Sequence, residues 1–350
     1  MKTTAKFILL AALPAVALAA GCSKNEVTPV ESEPAEITYQ TLETKAASNF
    51  NTTNKFYSYA YFLEKGKTWA ANYTTGQAYI SSSLIEFVSD KNYWKNTETT
   101  YYWPKQGSLT FFAWTDYTAA PAVSGCTISC SNAKGIYTTG YAVTSNQNKD
   151  LMVADIAADQ KANTVQYEGW EKGVPTIFKH VLSSLVFTIQ TDKDKSGNTY
   201  EDGMFKLKSI TLKNVSTTGD YTQGSPTAST APWRNQGTSA NLSAYSGTGM
   251  TVTENKQTVT PAANDYYIVL PQNFTNTTPV IEVVYTITTN YAGTPVTETV
   301  TETKDLKSIY TSNWENGKKY TLNIILGATE ILWDPDVTDW TTVTAGGINI

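Results

Sequence analysis

The chain has 350 residues, of which 16% are charged and 12% aromatic, and its formal net charge is −5. This length is sufficient for two domains with hydrophobic cores of their own. Low charge with abundant Thr, Ser, Asn and Tyr favours an extracellular all-β protein over a cytosolic helical enzyme, and the lack of a basic stripe argues against nucleic acid as a partner.

Residues 1–21 have the features of a lipoprotein signal peptide. Lys2 and Lys6 provide a positive end, and the apolar run over 7–18 is too short to span a membrane comfortably. The run is followed by Leu-Ala-Ala-Gly-Cys, residues 18–22, which resembles the lipobox where bacterial lipoproteins are cleaved. We expect Cys22 to become the acylated first residue, anchored in the outer membrane. The alternative is a plain signal peptide with a cysteine after it by chance.

Residues 22–45 are predicted to form a tether and then a candidate N-terminal propeptide strand. Residues 23–36 are polar and rich in Glu and Pro, which is typical of a linker. Residues 37–42, Ile-Thr-Tyr-Gln-Thr-Leu, form a short strand candidate. The small-residue stretch around Lys45 and Ala46 that follows is a candidate site of proteolytic processing.

The most aromatic stretch covers residues 101–117. Pro104 has no amide hydrogen to give to a sheet and Gly107 tolerates a left-handed backbone, so we predict a core hairpin of two strands with a turn between them. In the second strand, alternate residues over 109–114 would face opposite sides, and both sides carry bulky groups. This pattern predicts a central strand of a β-sandwich.

The remaining strand-like runs are separated by loops of Asn, Thr, Gly and Lys, and we expect little helix. A boundary is predicted at 168–173, which divides an N-terminal domain over 46–173 from a C-terminal domain over 174–350. The predicted strands are 56–63, 79–89, 127–131 and 150–155 before the boundary, and 174–189, 205–213, 266–270, 280–288, 296–302 and 319–326 after it.

Residues 215–260 are rich in Ser, Thr, Gly, Asn and Ala, with few apolar anchors. A connection of this length inside a compact domain is either functional or poorly ordered. Trp233 and Arg234, the only arginine of the chain, lie in its middle and form the candidate partner-facing loop. The alternative is a variable loop without a ligand.

The two cysteines beyond the signal region are Cys126 and Cys130, in Gly-Cys-Thr-Ile-Ser-Cys. In an extended strand their Cα atoms would lie about 13 Å apart, too far for a disulfide. Two free thiols are therefore favoured, and a disulfide is the alternative if the segment bends.

The sequence contains no arrangement typical of an enzyme. His180 is the only histidine, and its apolar surroundings predict a side chain hydrogen-bonded in or beside the core rather than a catalytic or metal-binding one. Phosphate-binding and dinucleotide motifs are missing. We therefore predict no enzyme activity and no cofactor.

Two acidic stretches resemble ion-binding sites in part. Residues 192–198, Asp-Lys-Asp-Lys-Ser-Gly-Asn, imitate the start of a calcium loop, but Gly203 stands where a bidentate Glu is needed. A hairpin turn is the better interpretation there. Residues 334–339, Asp-Pro-Asp-Val-Thr-Asp, are likewise predicted to form a turn, so we predict no metal site.

Five phrases occur in order along the chain. They are Tyr-Trp-Pro…Gly-x-Leu-x-Phe-Phe-Ala at 102–113, Asp-Leu-Met-Val-Ala at 150–154, Phe-Lys-His-Val-Leu-Ser-Ser-Leu at 178–185, Tyr-Tyr-Ile-Val-Leu-Pro-Gln at 266–272, and Trp-Glu-Asn-Gly-Lys-Lys-Tyr-Thr-Leu-Asn-Ile at 314–324. Together they resemble the fimbrillin-like (Mfa-like) family of Gram-negative surface proteins, the lipoprotein subunits of type V pili. The resemblance implies an all-β fold with two stacked transthyretin-like β-sandwich domains.

The resemblance implies a fimbrial subunit that is assembled at the outer membrane by strand exchange and supports adhesion. Its partners would be other pilus subunits, the outer membrane and a host or bacterial surface receptor. The C-terminal tail is the candidate donor strand, with Val343, Ile348 and Ile350 as its apolar residues. A bulge at the glycines 346 and 347 would bring all three onto one face. The alternative is a lipid-anchored adhesin or glycan-binding lipoprotein that does not polymerise.

One departure from the family concerns processing. Many shaft subunits are cut after an arginine behind the N-terminal strand, whereas this chain has no arginine before Arg234. Lys45 is the nearby basic residue. The sequence is therefore compatible with a shaft, anchor, tip or accessory subunit.

Overall fold

The computed structural model describes residues 35–43, 50–147, 149–162, 173–194, 196–226, 231–237, 239–259, 266–274, 278–310, 313–328 and 331–340. Over these residues the chain is almost entirely β, and the predicted all-β class is confirmed. Two α-helices of one turn each, α1 (Trp69–Asn72) and α2 (Leu306–Ile309), and two short 3₁₀ turns interrupt the strands.

The strands follow one another along the chain in short, closely spaced runs. They are β1 (Tyr39–Glu43), β2 (Phe56–Leu63), β3 (Gln77–Val88), β4 (Tyr93–Lys95), β5 (Ser108–Thr115), β6 (Ser129–Ser131), β7 (Gly135–Ala142), β8 (Met152–Ala154), β9 (Ala157–Gln160), β10 (Val174–His180), β11 (Ser183–Thr191), β12 (Phe205–Ser216), β13 (Thr218–Thr222), β14 (Trp233–Arg234), β15 (Ser239–Val252), β16 (Gln257–Val259), β17 (Tyr267–Val269), β18 (Val280–Tyr291), β19 (Thr294–Asp305), β20 (Lys318–Leu326) and β21 (Ile331–Asp339).

Seven strands of the N-terminal part pair in a closed ring, in the order β2, β3, β4, β1, β10, β8, β5 and back to β2, with β9 added beside β5. The ring encloses the first of three hydrophobic cores. Its aromatic members include Tyr39, Phe50, Phe56, Trp94, Phe111 and Phe178.

Strand β5 is central, as its two bulky faces predict. All of its residues are buried, with Leu109 and Phe111 in the first core and Phe112 and Trp114 in a second core on the other face. Because successive side chains of a strand point to opposite faces, a strand packed on both sides carries bulky apolar groups on both faces. The pattern at 109–114 meets that description.

The hairpin predicted around Pro104 is wrong. Gly107 has φ +86°, and a Cβ there would lie 2.2 Å from the Leu63 carbonyl oxygen. The chain therefore requires a glycine at this position, as predicted. The aromatic run before Pro104, however, pairs with the segment preceding β1, where the Trp103 N–H donates to the Ala35 carbonyl at 2.9 Å. Strand β5 takes β2 as its antiparallel partner instead.

The second core lies between the ring and a four-stranded sheet, β6–β7–β13–β14. The third core lies between two further sheets, one of β16–β11–β20–β21 with β17 beside β11, and the other of β15–β12–β18–β19. Strands β11 and β20 run parallel, from Ser184 opposite Lys319 to Thr191 opposite Leu326.

Strand pairings cross the predicted domain boundary. Strand β10, the first after residue 173, pairs with β1 and β8 in the ring, and β13 pairs with β7. The segment predicted as one strand over 174–189 breaks at Val181 and Leu182, which are buried in the second core. The two-sandwich division at 173 stays a prediction.

The long loop predicted over 215–260 is wrong, because β13, β14, β15 and β16 occupy it. Strand β15 is an edge strand that pairs with β12 through three register shifts. Only a few of its residues, such as Leu242 and Val252, reach the third core. A bulged edge strand is held by backbone hydrogen bonds and needs few apolar anchors, which explains why its sequence does not look like a strand.

The turn predicted at 334–339 is also wrong, since these residues belong to β21. Strand β21 is the last of its sheet, and Pro335 lies opposite Leu322 of β20. An edge strand tolerates proline because one of its sides has no strand to receive an N–H.

Candidate assembly site

Strand β1 is inserted in the ring between β10 and β4. It runs parallel to β10 from Tyr39 opposite Val174 to Glu43 opposite Phe178. On the other side, the single residue pair found in the described part of the chain is Tyr39 with Trp94 of β4. The hydrogen-bonded ladder that holds β1 is therefore mostly on its β10 flank.

Side chains of the β1 segment complete the first core. Ile37 and Tyr39 are 3% and 2% exposed. The Tyr39 ring meets Phe56 and Phe111 edge-on, with centroid distances of 5.6 and 5.8 Å. Burial raises the pKa of the Tyr39 phenol, so the ring is neutral in its pocket. Burying each side chain is worth about 1.5–3 kcal/mol, so removing the strand without a replacement would leave an unfavourable apolar groove.

Gly173 allows the start of β10 to approach β1 closely. A Cβ at this position would lie 2.8 Å from the backbone of Thr38 and Tyr39. The next residue, Val174, donates its N–H to the Thr38 carbonyl at 2.8 Å. Any side chain larger than hydrogen at residue 173 would push the two strands apart.

The entry to β1 is tied to its neighbours by charge and backbone. The Glu36 carboxylate lies 3.0 Å from the Lys95 ammonium and holds the pKa of that lysine above its ordinary value. The Ile37 N–H donates to the Tyr101 carbonyl at 2.8 Å. Both partners are partly exposed, so the ion pair fixes geometry more than it stabilises.

The exit of β1 leads into residues 44–49, which include the predicted processing residues Lys45 and Ala46 and lie outside the described residues. The chain is packed again at Phe50, which is 2% exposed. Its ring stacks on Phe178 at 5.0 Å and meets Trp94 edge-on at 5.2 Å. A cut between 44 and 49 would thus separate two packed segments and leave β1 held by non-covalent contacts alone.

Strand β10 also anchors the point where the C-terminal tail begins. His180, at its end, is 8% exposed, and its Nδ1 lies 2.6 Å from Asp150 Oδ2. Its ring stacks on Trp340 with a centroid distance of 4.3 Å. The predicted hydrogen-bonded histidine beside the core is confirmed. The candidate donor residues Val343, Ile348 and Ile350 follow Trp340 and lie outside the described residues, as does Cys22.

A cavity of about 790 Å³ opens beside this stack. Its walls include His180 and Trp340, and its rim carries two ion pairs, Lys179 with Asp155 at 2.6 Å and Lys318 with Asp339 at 2.9 Å. The lysines are neutralised by their own carboxylate partners, so the rim presents no net charge to a ligand.

Trp233 and Arg234 differ in exposure. Trp233 is 6% exposed and belongs to the second core, where its Nε1–H donates to the Val181 carbonyl at 2.6 Å. Arg234 is exposed, and its Nε–H donates to the Ala231 carbonyl at 3.2 Å. The partner-facing role stays a prediction, and of the two residues Arg234 is the one that solvent reaches.

The candidate calcium loop forms a turn, and the two described cysteines are free. Asp194 accepts N–H groups from Ser196 and Asn198 at 2.8 and 2.7 Å, which closes the predicted turn. Cys126 and Cys130 are half-buried free thiols, and burial raises the pKa of Cys130.

No cluster of three metal-ligating side chains occurs among the described residues. Nor does any helix in that part of the chain have the length and apolarity to cross a bilayer.

Three features of the site go beyond what the sequence predicts. The sequence places Gly173 only at a domain boundary, Phe50 in no element, and Glu36 in a polar tether. A glycine directly before an apolar strand is the one signal that indicates close backbone approach. The other two contacts join residues far apart in the chain and leave no local pattern.

Comparison with known proteins places the chain in a family. A family model described as fimbrillin-like matches residues 44–340. A fimbrial protein from Bacteroides vulgatus is similar in structure, with a TM-score of 0.62 and 18% identity over 87% of this chain and 99% of that one. A Bacteroides uniformis protein provisionally assigned to cell adhesion has a TM-score of 0.51 and 16% identity over 88% and 99% of the two chains. No curated protein matches the sequence.

Proposed function

Because the chain belongs to the fimbrillin-like family, we propose that it is a fimbrial subunit, exported as a lipoprotein precursor and assembled at the outer membrane by strand exchange in support of adhesion. The observation that carries this proposal is the setting of β1. It is the first described strand, it fills a groove in the first core, and the predicted processing residues follow it directly.

Release of β1 would create an acceptor groove. Cleavage after Lys45 would free a segment whose ladder lies mainly on β10. Its departure would expose the pockets of Ile37 and Tyr39 together with the unpaired edge of β10. An exposed apolar edge is a template for another strand, and strand addition is the general way to fill it.

The C-terminal tail of a second subunit matches that groove. Ile37, just before β1, and Tyr39, at its start, are two residues apart and both are buried in the first core. Ile348 and Ile350 have the same spacing near the end of the tail. Two apolar side chains at this spacing would enter both pockets at once. A tail donated from one subunit to the groove of the next is a head-to-tail contact, which propagates into a filament.

The N-terminal region would hold the precursor at the membrane. Cys22 carries the acyl chains in this proposal, and the 12 residues over 23–34 precede the described fold. Fully extended, such a tether reaches about 40 Å from the bilayer. After cleavage at Lys45, the departure of β1 would both release the subunit from its lipid and open the groove, which couples membrane release to assembly.

The N-terminal residue of the protein recovered from cells tests this proposal. Fimbriae should contain chains that begin at Ala46, and the membrane fraction should contain chains that begin at an acylated Cys22. Lys45→Gln should block the cut and leave the subunit in the membrane fraction without fimbriae. Lys55→Gln, at a lysine beyond the predicted cut, serves as the matched control and should assemble normally. Fimbriae built from chains that begin at Cys22 would contradict the proposal.

A further inference from the structure

The outer edge of β19 has no strand beside it in the part of the chain that the structure describes. Strand β19 is the last of the sheet β15–β12–β18–β19, and within the described residues it pairs only with β18. It has 12 residues, nearly all of them exposed. A strand edge of this length offers a row of unpaired backbone groups to another strand.

The hairpin geometry determines which residues face that edge. Strands β18 and β19 are joined at Ala292 and Gly293, with φ +49° and +84°, and Tyr291 lies opposite Thr294. In a two-residue hairpin the closing pair is hydrogen-bonded, and hydrogen-bonded pairs then alternate along the ladder. Odd-numbered residues of β19 therefore direct their N–H and C=O groups outward. These are Thr297, Thr299, Thr301, Thr303 and Asp305, whereas Pro295 has no N–H and presents only its C=O.

Two opposite charges are placed symmetrically on this strand. Glu298 and Lys304 are both exposed and point to the same face, and neither makes an ion pair with another described residue. They are six residues apart, roughly 20 Å along a strand, so they cannot reach each other within one chain. Thr301 lies at the midpoint between them.

A second copy of β19 would satisfy both charges. If two copies pair antiparallel about a two-fold axis at Thr301, Glu298 of each lies opposite Lys304 of the other. Thr301 then lies opposite its own copy, Thr299 opposite Thr303 and Thr297 opposite Asp305, which allows a regular ladder over 297–305 of both strands. Opposite charges at directly facing positions stabilise a strand pair.

Neighbouring registers are less favourable. An axis at Val300 places Glu298 opposite Glu302 on both sides, and an axis at Glu302 places that residue opposite itself. Like charges directly opposite are destabilising. An axis at Thr299 brings no opposite charges together. An axis at Thr303 places Glu302 opposite Lys304, but the ladder then covers only residues 301–305, because β19 ends at Asp305. Charge pattern and strand length together therefore select the register centred on Thr301.

We propose that the outer edge of β19 is a self-association site, at which two copies of this chain join their four-stranded sheets into one continuous sheet about Thr301. The contact is isologous and closes after two copies, so it adds a lateral pairing that is distinct from head-to-tail assembly. It involves neither β1 nor the C-terminal tail.

Sedimentation of the uncut full chain tests this site. Cys22→Ser removes the acylation position, and residues 44–49 stay intact so that β1 is retained. We expect a dimer that dissociates as salt is raised, because the Glu298 and Lys304 contacts are exposed. Glu298→Lys and Lys304→Glu should each weaken dimerisation by about tenfold or more, because each turns two attractive pairs into two repulsive ones.

Mixing the two single variants gives the most decisive test of the charge pairing. Glu298→Lys and Lys304→Glu chains should form a heterodimer together, since every facing pair is then opposite in charge, and the doubly exchanged chain should dimerise as the unchanged one does. Glu302→Lys makes the same charge change as Glu298→Lys but lies opposite Val300, so it should leave dimerisation within about twofold. A monomeric unchanged chain, equal losses from Glu298→Lys and Glu302→Lys, or no recovery on mixing would each overturn the proposal.

Discussion

Phe111 shows how a single residue stabilises the ring. Its side chain is 3% exposed and meets Tyr39 and Trp103 edge-on at 5.8 and 5.6 Å. Removing a buried aromatic ring costs the transfer free energy of its atoms and leaves a cavity, together about 3–5 kcal/mol. Phe111→Ala should therefore lower the free energy of unfolding by about that amount and lower Tm by about 10 °C, measured by calorimetry.

A truncation at an exposed position provides the control for burial. Val296 is 52% exposed on β19, and Val296→Ala should change the free energy of unfolding by less than about 0.5 kcal/mol. An unchanged melt for Phe111→Ala would contradict the placement of this residue in the core and assign it to a surface.

At the scale of the element, the proposed assembly depends on the removal of β1 from the ring. Tyr39 contributes to the stability of the precursor, but it is absent from a fibre whose subunits begin at Ala46. Tyr39→Ala should lower the free energy of unfolding of the precursor by about 3–5 kcal/mol. Fibres assembled from the same variant should dissociate at the same temperature as unchanged fibres.

The exposed Tyr291, at 78%, provides the control for this comparison. Tyr291→Ala should alter neither precursor nor fibre. If fibres of the Tyr39→Ala chain lose stability to the same extent as the precursor, β1 remains in the assembled subunit and strand exchange does not occur there.

The sequence predicted most strands because their signal is local. Strand β2 begins and ends where predicted, at Phe56–Leu63, and the two-faced pattern of β5 identifies a central strand. Pairing was harder to predict, because partners are chosen by contacts distant in the chain. The aromatic run before Pro104 pairs with residues near 35–37, and β1 pairs with β10, neither of which a local pattern can indicate.

The candidate site was predictable only in part. The apolar spacing of Ile37 and Tyr39 and the basic residue after them can be read from the sequence. The close approach of the backbone at Gly173 and the stacking of Phe50 on Phe178 depend on the closed ring, so they cannot be predicted from the sequence. Edge strands β15 and β21 were missed because backbone pairing stabilises them without an apolar pattern.

At the scale of the whole molecule, one strand connects the groove to the tail. Strand β10 forms the main ladder with β1 along its length, and His180 at its end stacks on Trp340, where the described chain ends. In the proposed assembly, the acceptor groove and the base of the donor tail therefore both contact β10. In a fibre this arrangement would fix the orientation of each subunit relative to the next.

The central claim is that the tail of one subunit replaces β1 of its neighbour, and deletion of residues 347–350 tests it most directly. The deletion removes Ile348 and Ile350, the two side chains matched to the pockets of Ile37 and Tyr39, and leaves every described residue in place. Unboiled electrophoresis of the processed protein measures the result. We predict a folded monomer with no ladder of multimers, while the full-length chain gives a ladder. A normal ladder from the truncated chain would contradict the account.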